Sequence, residues 1–153
     1  MSPEGRLAEL GLVLPGPYPP HDPLVAVVVH DGRARTSGQL ARGHDGVILH
    51  PGILGAEVGV EAGAEAARWC ALNAISVLRA ELGSLDRIER VLTVLGFVAS
   101  AAGFVQQPAV VDGASRVLVE VFGDAGRHSR SAVGVAALPR GGSVEIEVEV
   151  ALR

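Results

Sequence analysis

Apolar residues recur at three- and four-residue spacing between Val60 and Leu82, with Ala67, Ala71, Ala74, Ile75, Leu78 and Leu82 on one stripe and Gly83 behind them. That period predicts a helix with a glycine stop, and a stripe half made of alanine predicts close packing on a sheet. A second helix is predicted from about Pro108 to Phe122, where Val111, Ala114, Val117, Leu118, Val121 and Phe122 share a side and Gly123 follows. Between the two, "ERVLTVLGFVAS" reads as a buried strand, apolar on both faces, with Gly96 a candidate bulge. Upstream, "LVAVVVHDGRARTSGQL" reads as a hairpin turning on Asp31-Gly32, its second strand ending at Ser37-Gly38. Residues 5–14 predict a short helix, and the proline-dense "PGPYPPHDP" an extended loop. The stretch 41–59 has many glycines, two histidines and no period, and is expected to be a long loop. Two strands, at about 131–138 and 144–151, close the chain. The order ββαβαββ predicts an α+β or α/β sandwich with helices on one sheet face. There is no fixed-period repeat and no low-complexity segment.

The last strand alternates: Val144, Ile146, Val148 and Val150 point one way, and Glu145, Glu147 and Glu149 the other. A row of carboxylates is ordinarily a solvated face, so a functional glutamate among them must differ from the others in its partners. Arg130, before the preceding strand, is a candidate partner. In a simple hairpin around Gly141-Gly142, however, Arg130 and Glu145 would lie about 20 Å apart at ~3.3 Å per residue. A site using both requires either that the two strands are not neighbours or that another chain completes it.

The chain of 153 residues fits one domain, and its 3% of aromatics leave the core to Val, Leu, Ile and Ala. All 13 basic residues are arginine, which excludes a Schiff-base lysine and a Walker A loop. Cationic recognition therefore falls to guanidinium, which grips carboxylates with a planar fork. A net charge of −4 offers no basic footprint for nucleic acid. The lone Cys70 falls among apolar helical positions and is expected to be a buried, inert thiol. His21, His30, His44 and His50 show no metal-ligand spacing, and no GxSxG or cofactor motif is present, so neither metal nor cofactor is expected. With no apolar run of ~20 residues and no basic, apolar leader, a soluble cytoplasmic protein is the expectation.

"GPY", "TSGQ", an alanine-rich helix carrying Asn73 and "RSAVGVAALP…VEIEVEVAL" together resemble the RidA (YjgF) family of imine and enamine deaminases, from about Gly16 to Leu152. The resemblance implies a chorismate-mutase-like fold with a mixed sheet and two helices on one face. It also implies a homotrimer whose sheets form a central barrel, with sites between subunits and residues 1–15 as an N-terminal extension. Arg130 matches the family arginine that holds the substrate carboxylate, and Glu145 the glutamate that positions water or passes a proton. Tyr18 matches the aromatic covering the pocket, and Ser37 and Gly38 a segment lining it. Ala132, Gly134 and Ala136 are the small face expected to allow close approach between subunits. The sequence departs from the family at Gly113, where many members carry Asn, at Ala132, where Cys is common, and at His128-Ser129 in place of Pro-Ala. His128 reads either as a pocket-lining proton donor or as an exposed loop histidine, the commoner case. The implied activity is hydrolytic deamination of 2-aminoacrylate-type imino acids to 2-keto acids and ammonia, without a cofactor. Its rivals are a non-catalytic trimer binding small carboxylic acids or a partner protein, and an endoribonuclease.

Overall fold

A computed structural model describes residues 1–153. The chain forms α1 (Pro3–Glu9), β1 (Val27–His30), β2 (Arg33–Thr36), β3 (Gln39–Leu40), α2 (Val60–Leu82), β4 (Ile88–Ala99), α3 (Gln107–Phe122), β5 (Ser129–Val135) and β6 (Val144–Leu152). One six-stranded mixed sheet has the order β1-β2-β6-β4-β5, with the two-residue β3 also paired to β6. Only β4 and β5 are parallel, as expected of strands joined through a helix. The β1–β2 turn places Asp31 and Gly32 at φ 51° and 71°, the positive pair that a tight hairpin requires.

The helices α2 and α3 cover one face. Val91, Val94, Val98, Val144, Ile146, Val148 and Val150 point into that layer and are buried. Gly96 is not at a bulge: the β4–β6 register shifts lie between Ile88 and Arg90 and between Val91 and Thr93. A Cβ on Gly96 would come within 2.6 Å of Val111, so the glycine is there because α3 lies so close. Gly113 plays the same part between the helices, where a Cβ would run into the Ala64 carbonyl of α2. The small face of β5 is also used inside the chain. Ala132 packs against the core, and Gly134 faces Ser100 and Gln107, whose Nε2 a Cβ would approach to 2.9 Å.

The N-terminal helix α1 is shorter than the pattern suggested, because Gly11 takes φ 63° and turns the chain away. It is tied down nonetheless: Leu7 is buried, and Glu4 accepts from Leu85 N–H at 3.0 Å and pairs with Arg79 at 2.9 Å. The 41–59 stretch forms no helix or extended strand but is held in place. Leu54 is fully buried, its N–H donates to the Ala99 carbonyl, and its own carbonyl accepts from Ala101 N–H. No helix is long and apolar enough to cross a membrane.

Candidate functional site

β6 runs between β2 and β4, so the two closing strands are not neighbours: β4 separates β5 from β6. Arg130 pairs with Val94, which pairs with Val148, three residues from Glu145. Two strand spacings across and three residues along leave their backbones about 14 Å apart. The side chains also leave opposite faces. Arg130 shares the helix side with Val94 and Val148, whereas Glu145 shares the uncovered side with Phe97. One chain therefore does not bring Arg130 and Glu145 together, and the expected residues fall into two constellations.

The first surrounds Glu145. Tyr18, Ser37, Gly38 and Glu145 line a single cleft of about 390 Å³, joined by Arg42 and Arg140. Gly38 lies where the chain steps from β2 to β3, and a Cβ there would run into the Glu145 carboxylate. The "SG" pair thus makes room for the acid. The Ser37 hydroxyl donates to the Val25 carbonyl at 2.7 Å, which fixes the cleft wall and leaves the oxygen only as an acceptor. Arg42 stacks its guanidinium 3.6 Å from the centre of the Tyr18 ring, and Arg140 donates to the Tyr18 hydroxyl at 3.0 Å.

The three glutamates of β6 now separate. Glu147 pairs with Arg35 at 2.8 Å and Glu149 with Arg33 at 3.5 Å, both diagonally across to β2. These pairs are exposed and contribute little to stability. Glu145 has no cation within ion-pair distance. Burial raises its carboxyl above the usual range, and the neighbouring Glu147 charge adds to the rise. A smaller hollow of about 160 Å³ lies near Glu147 on the same face, but Arg35 already neutralises its acid.

The second constellation lies between β5 and α3. Arg130 Nη1 donates to Asp112 at 2.8 Å and to Ser115 Oγ at 3.1 Å, and Nη2 donates to the Pro108 carbonyl at 3.3 Å. Ser115 lies 2.9 Å from His128 Nε2, and His128 Nδ1 lies 2.6 Å from the Gly126 carbonyl. The carbonyl can only accept, so the proton sits on Nδ1 and Nε2 accepts from the serine. His128 is therefore a half-buried member of this network, not an exposed loop histidine. Burial lowers its pKa; the Gly126 bond opposes that shift and Arg130 adds to it. Gly113 faces α2, so the α3 side chains that meet Arg130 are those of Asp112 and Ser115.

Sequence reasoning missed Arg42, Arg140, Asp112 and Ser115. Arg42 lies in the aperiodic 41–59 stretch and Arg140 in a turn, where hydrophobic spacing says nothing. Asp112 and Ser115 sit at the spacing that faces a neighbouring strand, a signal the apolar stripe of α3 overshadowed. Cys70 is fully buried, donates to the Val144 carbonyl at 3.3 Å, and burial holds its thiol well above the ordinary value. No three His, Cys, Asp or Glu side chains converge on a point.

Residues 4–144 match the family model described as "YjgF/chorismate mutase-like, putative endoribonuclease". Protein TCP17 of Trypanosoma cruzi is 42% identical over 148 residues, covering 96% of this chain and 92% of that protein. The crystal structure of Atu1372 from Agrobacterium tumefaciens, a protein described as of unknown function, superposes with a TM-score of 0.91. It is 40% identical and covers 99% of this chain and 92% of its own. A structure from Shewanella oneidensis, also named for an endoribonuclease, gives a TM-score of 0.94 at 32% identity, covering 99% of this chain and 100% of its own. With the family model spanning residues 4–144, and relatives alike over nearly their whole length, the chain belongs to the RidA (YjgF) family.

Proposed function

We propose that the chain hydrolyses small 2-imino and enamine acids to 2-keto acids and ammonia in the Tyr18–Glu145 cleft. One observation carries this reading: Glu145 alone of the three β6 glutamates lacks an arginine, lines a cleft and has a raised carboxyl pKa. A carboxyl whose pKa is raised by burial holds a proton more readily than an ordinary glutamate, which suits it to give and take one during a reaction. The enamine takes a proton at carbon from the Glu145 carboxyl and becomes the iminium. Water then adds to the C=N carbon as Glu145 accepts its proton. That proton passes to nitrogen, and as the carbinolamine hydroxyl gives its own proton to Glu145 the C–N bond breaks, releasing ammonia and the keto acid and restoring the protonated carboxyl.

In this reading a neighbouring subunit supplies Arg130. Its guanidinium sits on β5, the edge strand of the sheet, already oriented by Asp112 and Ser115. The uncovered sheet face carries Leu95, Phe97 and the exposed Val28 and Val133, an apolar surface suited to packing against other subunits. A homotrimer that packs through that face and sets the free edge of a neighbour's β5 over each cleft would carry that neighbour's Arg130 to it, although within its own chain Arg130 leaves the helix side of the sheet. Arg130 then grips the substrate carboxylate in a bidentate fork while Glu145 of the adjoining chain handles water.

The test generates 2-aminoacrylate in situ and follows imine loss with wild type, Arg130→Ala and Glu145→Gln. Wild type should exceed the uncatalysed rate, with both variants reduced by about 100-fold or more. Wild type at the uncatalysed rate would leave only binding of carboxylic acids. RNA cleavage that survives Arg130→Ala would instead favour the endoribonuclease named in the family description.

A further inference from the structure

The cleft holds two arginines that no ion pair accounts for. The ion pairs of the chain use Arg33, Arg35, Arg68, Arg79, Arg127 and Arg130, and neither Arg42 nor Arg140 is among them. Arg42 Nη1 is buried and has no hydrogen-bond acceptor in the chain. Such a group is costly to leave unmatched, and each one calls for a physical reason. Both guanidiniums are set in place. The Arg42 carbonyl accepts from Asn73 Nδ2 at 2.9 Å, and the buried Asn73 also donates to Trp69 O at 2.8 Å, which ties Arg42 to α2. Its guanidinium lies over the Tyr18 ring. Arg140 takes φ 57° and ψ 21°, a left-handed conformation unusual for a residue with a side chain, and this turns it toward the same tyrosine. Two unpaired planar forks thus converge on one ring inside the cleft that contains Glu145.

We propose that Arg42 and Arg140 form an oxyanion subsite that receives a second, side-chain carboxylate of the substrate, making the chain selective for dicarboxylic 2-imino and 2-keto acids. The subsite rests on the deaminase reading only in leaving the 2-carboxylate to Arg130. Two guanidiniums without counter-charges match one carboxylate with both oxygens engaged. A monocarboxylic acid would occupy the cleft and leave both guanidiniums without a counter-charge.

Ligand-observed NMR titration with 2-oxoglutarate and 2-oxobutyrate tests this without turnover. Wild type should bind 2-oxoglutarate at least about tenfold more tightly. In Arg42→Gln and in Arg140→Gln the ratio of the two affinities should collapse toward one, whereas Arg130→Gln should weaken both acids and keep the ratio. Arg140 is exposed, so its variant carries the test if Arg42→Gln does not fold. Arg42→Lys, which keeps the charge and loses the planar stack, should retain only part of the preference. Equal affinities in wild type, a preference that survives both glutamine variants, or tighter binding of inorganic phosphate than of either acid would overturn the subsite. Absence of imine turnover alongside an intact, arginine-dependent preference would sink the deaminase reading and leave the subsite standing.

Discussion

A half-buried carboxyl with no cation beside it makes its ionised form expensive, and Glu145 carries that cost. Because its folded pKa lies above the unfolded value, the folded state binds the extra proton, and stability falls as pH rises through that interval. Glu145→Gln should therefore melt at a higher temperature than wild type at neutral pH. The gain should vanish below the ordinary glutamate pKa, where both carry a neutral side chain; thermal melts across pH measure this. The same variant should lose deaminase activity, so stability and activity move in opposite directions. Gly38→Ala separates the two in another way. Its Cβ would displace only the flexible end of Glu145, so the melting temperature should shift little while activity drops by about tenfold or more. At this scale the sequence was legible where a motif named the residue, as for Tyr18, Gly38 and Glu145. It was silent on why Glu145 differs from Glu147 and Glu149, because their distinction lies in Arg35 and Arg33 on a strand over a hundred positions away.

Close packing decides the elements. Adding a methyl at Gly113 forces it against the Ala64 backbone, which cannot yield as a side chain tip can. Gly113→Ala should cost about 3 kcal/mol, and Gly96→Ala, which meets the Val111 methyls, about 1–3 kcal/mol, both read from urea unfolding. Leu54→Ala should cost about 2–5 kcal/mol despite lying in a stretch without regular structure, because its side chain is fully buried. Both long helices were legible, Val60–Leu82 to the residue, since an apolar stripe and a following glycine mark them directly. The role of the glycines was not. A glycine inside a strand pattern can mean a bulge or a close neighbour, and only the position of Val111 chooses between them. The anchoring of the 41–59 stretch was equally hidden, because it depends on two backbone hydrogen bonds made by Leu54 to Ala99 and Ala101.

At the scale of the whole molecule, the strand order turns the separation of Arg130 and Glu145 into a statement about assembly. If the site forms between subunits, Arg130→Ala and Glu145→Gln chains, each inactive alone, should complement one another when unfolded together and refolded. Activity should return to about a quarter of the wild-type rate, because that share of head-to-tail interfaces joins two intact halves. Sedimentation should give three chains per particle, and no recovery in the mixture would place the chemistry within one chain. The fold class was readable from the order of periods along the chain. The insertion of β6 between β2 and β4 was not, since alternation in a strand does not name its neighbours. That insertion also has a consequence for how the protein is made. The strand that bonds to β2, β3 and β4 comes after the other five in chain order, so the ribosome releases the keystone of the sheet last. Until Val144–Leu152 emerges, β1–β2 and β4–β5 are two unjoined ribbons with open edges, and a nascent chain halted before Val144 should remain protease-sensitive.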